Sequence, residues 1–255
     1  MRRVADALAP WALIALILAA WEVACRLLDI PVYRLAPPSA VAAALAANAP
    51  LLLVSAWNTF SMAMIALVLA SAIACSIALA ASLSNPLERA VKPLAVALQV
   101  TPVVALAPLI QIWAGIDHPR AAVIALTALV AFFPIYSGAV SGLAASDPDL
   151  ERLFDLYGAT SIQRLAKLRI PSAVPFLLEG HKVAVGLSLV GAVVAEFAAG
   201  SGGSQGLAWR ILEAGNRLQT AKMIAALVVL AVMGGALHAA FSVLEARALA
   251  RWRGR

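Results

Sequence analysis

The chain has 255 residues, of which 63% are apolar and only 13% charged, with a mean hydropathy of +0.93. Ordinary soluble domains carry roughly 45–50% apolar and about 25% charged residues, and a chain of this length buries only about 70–75% of its surface, so a free soluble enzyme is excluded. Disorder and a disulfide scaffold are excluded as well, because the apolar content is too high and Cys25 and Cys75 are too few; the net charge of +6 falls on chain ends and between apolar runs, where it orients loops against a membrane rather than gripping nucleic acid.

A hydrocarbon core of roughly 30 Å takes about 20 apolar residues per helix, and six stretches qualify. The first, 11–28, follows Arg2 and Arg3 and so could be a signal peptide. It exceeds the usual h-region of about 7–15 residues and continues into Glu22 and Arg26 without a clear cleavage site, so it is read as an uncleaved helix, with Glu22 paired to Arg26 one turn on. The second, 51–83, is too long for one straight span and is expected to tilt or begin outside the bilayer; it carries Asn58, Thr59 and Ser61. The third, 91–113, carries Gln99, Thr101 and Gln111, and the fourth, 121–143, carries Tyr136 and Ser137. Gly138 and Gly142 in the fourth have the spacing of close helix packing.

A polar stretch, 146–171, separates the fourth and fifth spans and has its own helical grammar. Asp147 suits an N-cap, Pro148 the first helical position, and Asp149 and Glu151 the positive end of the helix dipole. Leu150, Leu153, Phe154 and Tyr157 then fall on one face. Gly158 supplies a left-handed stop. Thr160 and Gln163 have capping-box spacing for a second helix, which Arg164, Lys167 and Arg169 load at its far end and Pro171 closes. The apolar face either packs back on the chain's own helices or docks into a groove of another protein.

The fifth span, 173–197, holds Lys182 and ends at Glu196; the sixth is 221–244. With the N-terminus inside, Arg2, Arg3, Arg89, Lys92, Arg152, Arg164, Lys167, Arg169, Arg247, Arg251, Arg253 and Arg255 lie in cytoplasmic segments, against Arg34, Arg120, Arg210 and Arg217 outside. The bias puts both termini in the cytoplasm. Polar groups inside spans are costly in hydrocarbon and are candidates for a translocation path: Asn58, Thr59, Gln99, Thr101, Gln111, Tyr136 and Glu196. For the uncharged ones, a hydrogen bond between helices or to backbone is the competing use.

Tyr157-Gly158-Ala159-Thr160, continuing to Arg169-Ile170-Pro171, resembles the cytoplasmic signature loop of ABC importer permeases, whose pattern is E-A-A, three residues, glycine, then twelve residues and a proline. Gly158 and Pro171 have that spacing. Ala107-Pro108-Leu109-Ile110, Asp147-Pro148-Asp149-Leu150 and Val193-Val194-Ala195-Glu196-Phe197 resemble the branch importing nitrate, taurine, aliphatic sulfonates and thiamine-precursor pyrimidines. The likeness runs from about residue 37 to 252. It departs at the signature acid, where Arg152 stands, followed by Leu153 and Phe154 in place of the alanines.

The resemblance implies an all-α integral membrane protein with about six transmembrane helices, the type I ABC importer permease fold, as one permease domain over 1–255 with 146–171 as its coupling loop. It further implies a homodimer with a second permease copy in the lipid of a bacterial inner membrane, two cytoplasmic ATPase subunits and a periplasmic substrate-binding protein. Leu150, Leu153, Phe154, Tyr157, Gly158, Ala159 and Pro171 would then couple to the ATPase. The chain has no G-x-x-x-x-G-K-[ST] phosphate loop, so ATP and Mg are expected on the partner, and no cofactor or metal on this chain. Ser201-Gly202-Gly203-Ser204-Gln205-Gly206 superficially resembles the ATPase signature peptide and is read as a turn between the last two spans. A passive channel or scaffold without an ATPase is the alternative. An intramembrane enzyme is disfavoured because His118, His181 and His238 are scattered and no hydrolase or metal motif is present. Lys182 is the one basic group well inside a span, which leans the substrate toward a neutral or weakly charged heterocycle over an anion.

Overall fold

The fold follows from where helices can start and where they must stop. The computed structural model describes residues 2–115, 117–199 and 204–254, and among them every regular element is helical. These are α1 (Arg2–Leu27), α2 (Pro38–Ala47), α3 (Ala49–Ser82), α4 (Asn85–Val100), α5 (Val103–Ala114), α6 (Pro119–Ala144), α7 (Pro148–Leu156), α8 (Ser161–Arg164), a π-helical turn (Leu165–Arg169), α9 (Ile170–Ala199), α10 (Leu207–Asn216) and α11 (Thr220–Arg253). The first predicted span lies in α1. Among the described residues, Ala49–Ser82, Pro119–Ala144, Ser161–Ala199 and Thr220–Trp252 are each long and apolar enough to cross a membrane unbroken. The 34 residues of α3 rise about 51 Å, well beyond the hydrocarbon thickness, as its predicted overlength requires.

The third predicted span is not one helix. It is split between α4 and α5, which meet at an angle of 103°. The cause is local: Pro102 forces the preceding residue out of the α region, and Thr101 accordingly sits at φ −71°, ψ 127°. Counted as one span, that bent pair brings the membrane-crossing helices among the described residues to five, against the six expected. A second correction concerns Pro171, expected to close a helix. It is the second residue of α9, and helix runs without a gap from Ser161 to Ala199. The π turn makes this possible, because the Ile170 N–H reaches back to Leu165 O and the register has already shifted where Pro171 has no N–H to give. The helices α2 and α10 lie outside the predicted spans.

The chain divides into two units. One comprises Met1–Trp57 and Gln205–Val232. In it Glu22 pairs with Arg26 at 2.6 Å, as the spacing predicts, and also accepts from Ser39 N–H at 3.0 Å and Ser39 Oγ at 2.8 Å, which fastens α1 to the start of α2. Cys25 is buried. Arg210 on α10 donates to Ser55 Oγ at 3.1 Å and to Glu213 at 2.9 Å; the bond to Glu213, with the charges of Arg210, Arg217 and Lys222, outweighs burial and holds the Glu213 carboxyl below the usual range.

The other unit comprises Asn58–Ser204 and Met233–Arg255. Its part of α3 buries a stripe of alanines, Ala63, Ala66, Ala70, Ala74, Ala78 and Ala81, at three- and four-residue spacing. Of these, Ala70, Ala74 and Ala78 join Ala95 of α4, Ile135, Tyr136 and Ala139 of α6, and Ala173 and Ala184 of α9 in one core, with Cys75 packed against it. Helices α6 and α9 pair along much of their length. A Cβ on Gly138 would stand 2.7 Å from Phe176 O, and one on Gly180 2.6 Å from Pro134 O. The Gly138/Gly142 spacing is thus used inside the chain, to bring α6 onto α9. Large apolar side chains on the outer faces, such as Val68, Val100, Ile112 and Trp113, are exposed, as a lipid-facing surface requires.

Candidate functional site

The polar stretch folds as its local chemistry dictates. Asp147 caps α7 by accepting from Asp149 N–H at 2.8 Å, with Pro148 in the first turn. The helix ends at Tyr157, and Gly158 takes φ +62°, where a side chain costs roughly 1–2 kcal/mol. Its N–H donates to Asp155 O at 3.0 Å, and that of Ala159 to Phe154 O at 2.9 Å. Thr160 and Gln163 form the reciprocal capping box at 3.2 and 2.9 Å. Every turn-forming demand is thus met within 147–163, and the knob needs no partner for its shape.

Its apolar side chains, by contrast, are left over. No residue of α7 is buried: Leu150 and Leu153 are each 44% exposed, Leu156 85% and Tyr157 82%, with Ile162 of α8 at 72%. Phe154 and Ala159 are half-buried. Of the face predicted by periodicity, Leu150, Leu153 and Tyr157 stay exposed and Phe154 alone is half-buried. What ties the knob down is charge. Glu151 accepts from Arg169 Nε at 2.8 Å and from Ser146 Oγ at 2.7 Å, and Arg169 also donates to Ser82 O at the end of α3. Arg164 pairs with Asp155 and stands 3.5 Å from Glu151. Partial burial opposes the charged form of Glu151, but hydrogen bonds from Arg169 and Ser146 and the charges of Arg169 and Arg164 prevail and hold its carboxyl below the usual range. Pro171 contributes its carbonyl, which accepts from Trp252 Nε1 at 2.9 Å, so α11 is anchored where α9 begins. Arg152, standing where the signature acid would, pairs with Asp149 one turn away.

Of the predicted path residues, the structure brings Gln99 into a groove of about 550 Å³ between α4, α5, α6 and α9, which Ser137, Ser141 and Glu179 also line. Thr59 and Glu196 meet elsewhere in the same unit: Thr59 Oγ1 donates to Glu196 Oε1 at 2.7 Å with both residues buried. Thr101 donates to Ala97 O and closes α4. Tyr136 is buried and stacked on Phe132, Gln111 is half-buried, and Asn58 O accepts from Ser61 Oγ. Sequence reasoning missed Glu179, although an ionisable group inside a span is itself the signal. Lys182 pairs with Glu245 of α11 at 2.9 Å and is absent from the groove lining. Among the described residues no three His, Cys, Asp or Glu side chains are placed to hold a metal ion. Residues 201–203 of the expected turn lie outside the described residues.

Comparison with known proteins places this membrane-spanning, all-helical chain in a family. The chain belongs to the binding-protein-dependent transport system inner membrane components, whose family model matches residues 72–250. It is similar to the formylaminopyrimidine transport permease protein ThiX of Halalkalibacterium halodurans, 30% identical over 253 residues covering 99% of each chain. It is also similar to the riboflavin transport system permease protein RibX of Chloroflexus aurantiacus, 35% identical over 65% of this chain and 60% of that one. The taurine transport system permease protein TauC of Escherichia coli is 28% identical over 75% of this chain and 67% of its own. The protein is accordingly a multi-pass inner-membrane permease component of the ABC importer type.

Proposed function

We propose that the chain is the permease subunit of an ATP-driven importer, working as a homodimer with two cytoplasmic ATPase subunits and a periplasmic binding protein, and moving a small polar nutrient inward by alternating access. Both termini and the 146–171 loop face the cytoplasm. The observation that carries the reading is the knob itself: its backbone is satisfied internally while Leu150, Leu153, Leu156, Tyr157 and Ile162 stay exposed. Exposed apolar and aromatic groups on a rigid, charge-fastened element are what a docking hot spot requires. An ATPase gripping that element moves it as a body, and the Glu151 and Arg169 contacts pass the motion to the ends of α3 and α9. Leu150, Leu153, Phe154, Tyr157, Gly158 and Ala159 form the coupling surface, and Pro171 fixes the root of the loop. ATP and Mg are held by the ATPase, and this chain binds no cofactor. In this reading the docking surface carries Arg152 where the signature acid usually stands.

The test is purification of the tagged chain with its genomic neighbours. Co-purification of an ATPase whose hydrolysis is stimulated by liganded binding protein supports the reading. A chain that conducts solute with no ATPase bound and no ATP dependence is instead a passive channel.

A further inference from the structure

The groove between α4, α5, α6 and α9 has a composition that discriminates between solutes. Its volume, about 550 Å³, lies within the range of small-molecule sites, roughly 300–1,000 Å³. Its polar lining residues are Gln99, Ser137, Ser141 and Glu179, and two aromatic residues, Phe133 of α6 and Phe176 of α9, line it as well. No lysine, arginine or histidine lines it. Glu179 lies six residues beyond the start of the fifth span at residue 173, about 9 Å along the helix. A carboxylate at that depth in a span is costly and marks a functional site by default. Glu179 is exposed, and its carboxylate is in no hydrogen bond or ion pair among the described residues. The nearby Lys182 is already committed to Glu245 at 2.9 Å.

Resting on the permease reading above, we infer that this groove is a contact site for the transported molecule and that the molecule is an amine-bearing aromatic heterocycle, neutral or cationic, with its N–H groups toward Glu179 and its ring against Phe133 and Phe176. The reasoning is chemical. A sulfonate or other anion brought here would be desolvated beside a carboxylate, with no basic residue in the lining and the nearby Lys182, which feels the Glu179 charge, already paired with Glu245. A flat heterocycle finds ring faces, while an amino group finds the acceptor that Glu179 offers and further polar partners in Gln99, Ser137 and Ser141. The groove therefore selects against the solute class of sulfonate importers.

The test uses the full chain, co-purified with its partner subunits, in nanodiscs, with 4-amino-2-methylpyrimidine and ethanesulfonate as probes in a direct binding assay. The wild-type complex is expected to bind the aminopyrimidine at least tenfold more tightly than ethanesulfonate, and Glu179→Gln to lose at least tenfold of that affinity. Gln99→Ala, at an exposed position that needs no repacking, is expected to lose several-fold and serves if Glu179→Gln fails to fold. Equal binding of both probes, or unchanged aminopyrimidine affinity in both variants, overturns the inference. ATP-driven uptake is scored separately in proteoliposomes: a complex that imports a solute but fails the probe test refutes the solute class alone, whereas one that hydrolyses no ATP refutes the permease reading.

Discussion

Glu151 and Arg169 lie 18 residues apart in the chain and 2.8 Å apart in space, so the first loop helix is clamped to the start of α9. The carboxyl of Glu151 is held below its ordinary 4.5. A carboxylate depressed in the folded state stabilises that state above its unfolded pKa and loses the contribution as pH falls through its folded value. Glu151→Gln is therefore expected to lower stability at pH 7 by about 1–2 kcal/mol. The gap between wild type and variant should close as pH falls below 4.5. Thermal unfolding in detergent across pH 7 to 3.5 reads both effects, and a gap independent of pH would refute the clamp.

Gly158 separates backbone requirement from side-chain packing. A Cβ there meets nothing within 4 Å, so Gly158→Ala has only the left-handed conformation to oppose it, about 1–2 kcal/mol, and is expected to weaken uptake. Gly158→Pro is incompatible with φ +62° and removes the N–H bonded to Asp155 O. It should abolish ATP-driven uptake, as should Phe154→Glu through the docking surface, while membrane-fraction blots show the chain still inserted. Normal uptake by either variant refutes docking.

The α6–α9 seam is set by backbone approach. Gly180→Ala places a methyl 2.6 Å from Pro134 O, and neither backbone can yield without parting the helices. The expected cost is about 1–3 kcal/mol, seen as a lowered melting temperature in detergent. Gly186→Ala on the same helix, where a Cβ meets nothing within 4 Å, is the control that should remain near wild type.

Lys182 and Glu245 form an ion pair between α9 and α11. Removing one partner strands a charge, whereas removing both leaves none. Lys182→Met and Glu245→Gln should each destabilise more than the double variant does, a coupling of about 0.5–3 kcal/mol. Simple additivity in a thermal-stability cycle would refute the pairing.

What the sequence disclosed is what local chemistry controls. The cap at Asp147, the left-handed Gly158 and the Thr160/Gln163 box are decided within four residues and were legible without a structure. The bend at Thr101 was not, because a count of apolar residues passes over the one proline that forces the preceding residue extended. Pro171 misled for the opposite reason: proline stops a helix only where its missing N–H is needed, and the π turn had removed that need. The groove was only half visible. Gln99 was singled out for its polarity, but its company with Ser141 and Glu179 depends on how α4, α6 and α9 pack. The same packing put Thr59 against Glu196, two residues 137 apart in the chain, and turned Tyr136 into the core.

The π turn at Leu165–Arg169 also fixes the angular bearing of everything before it. One residue corresponds to about 100° of helical rotation, so the single extra residue in that turn decides which compass direction the knob faces around the α9 axis. Excising one residue there would leave all the caps, charges and apolar groups intact while swinging them about a quarter-turn away. The permease would keep its key and present it to the wrong side of the lock.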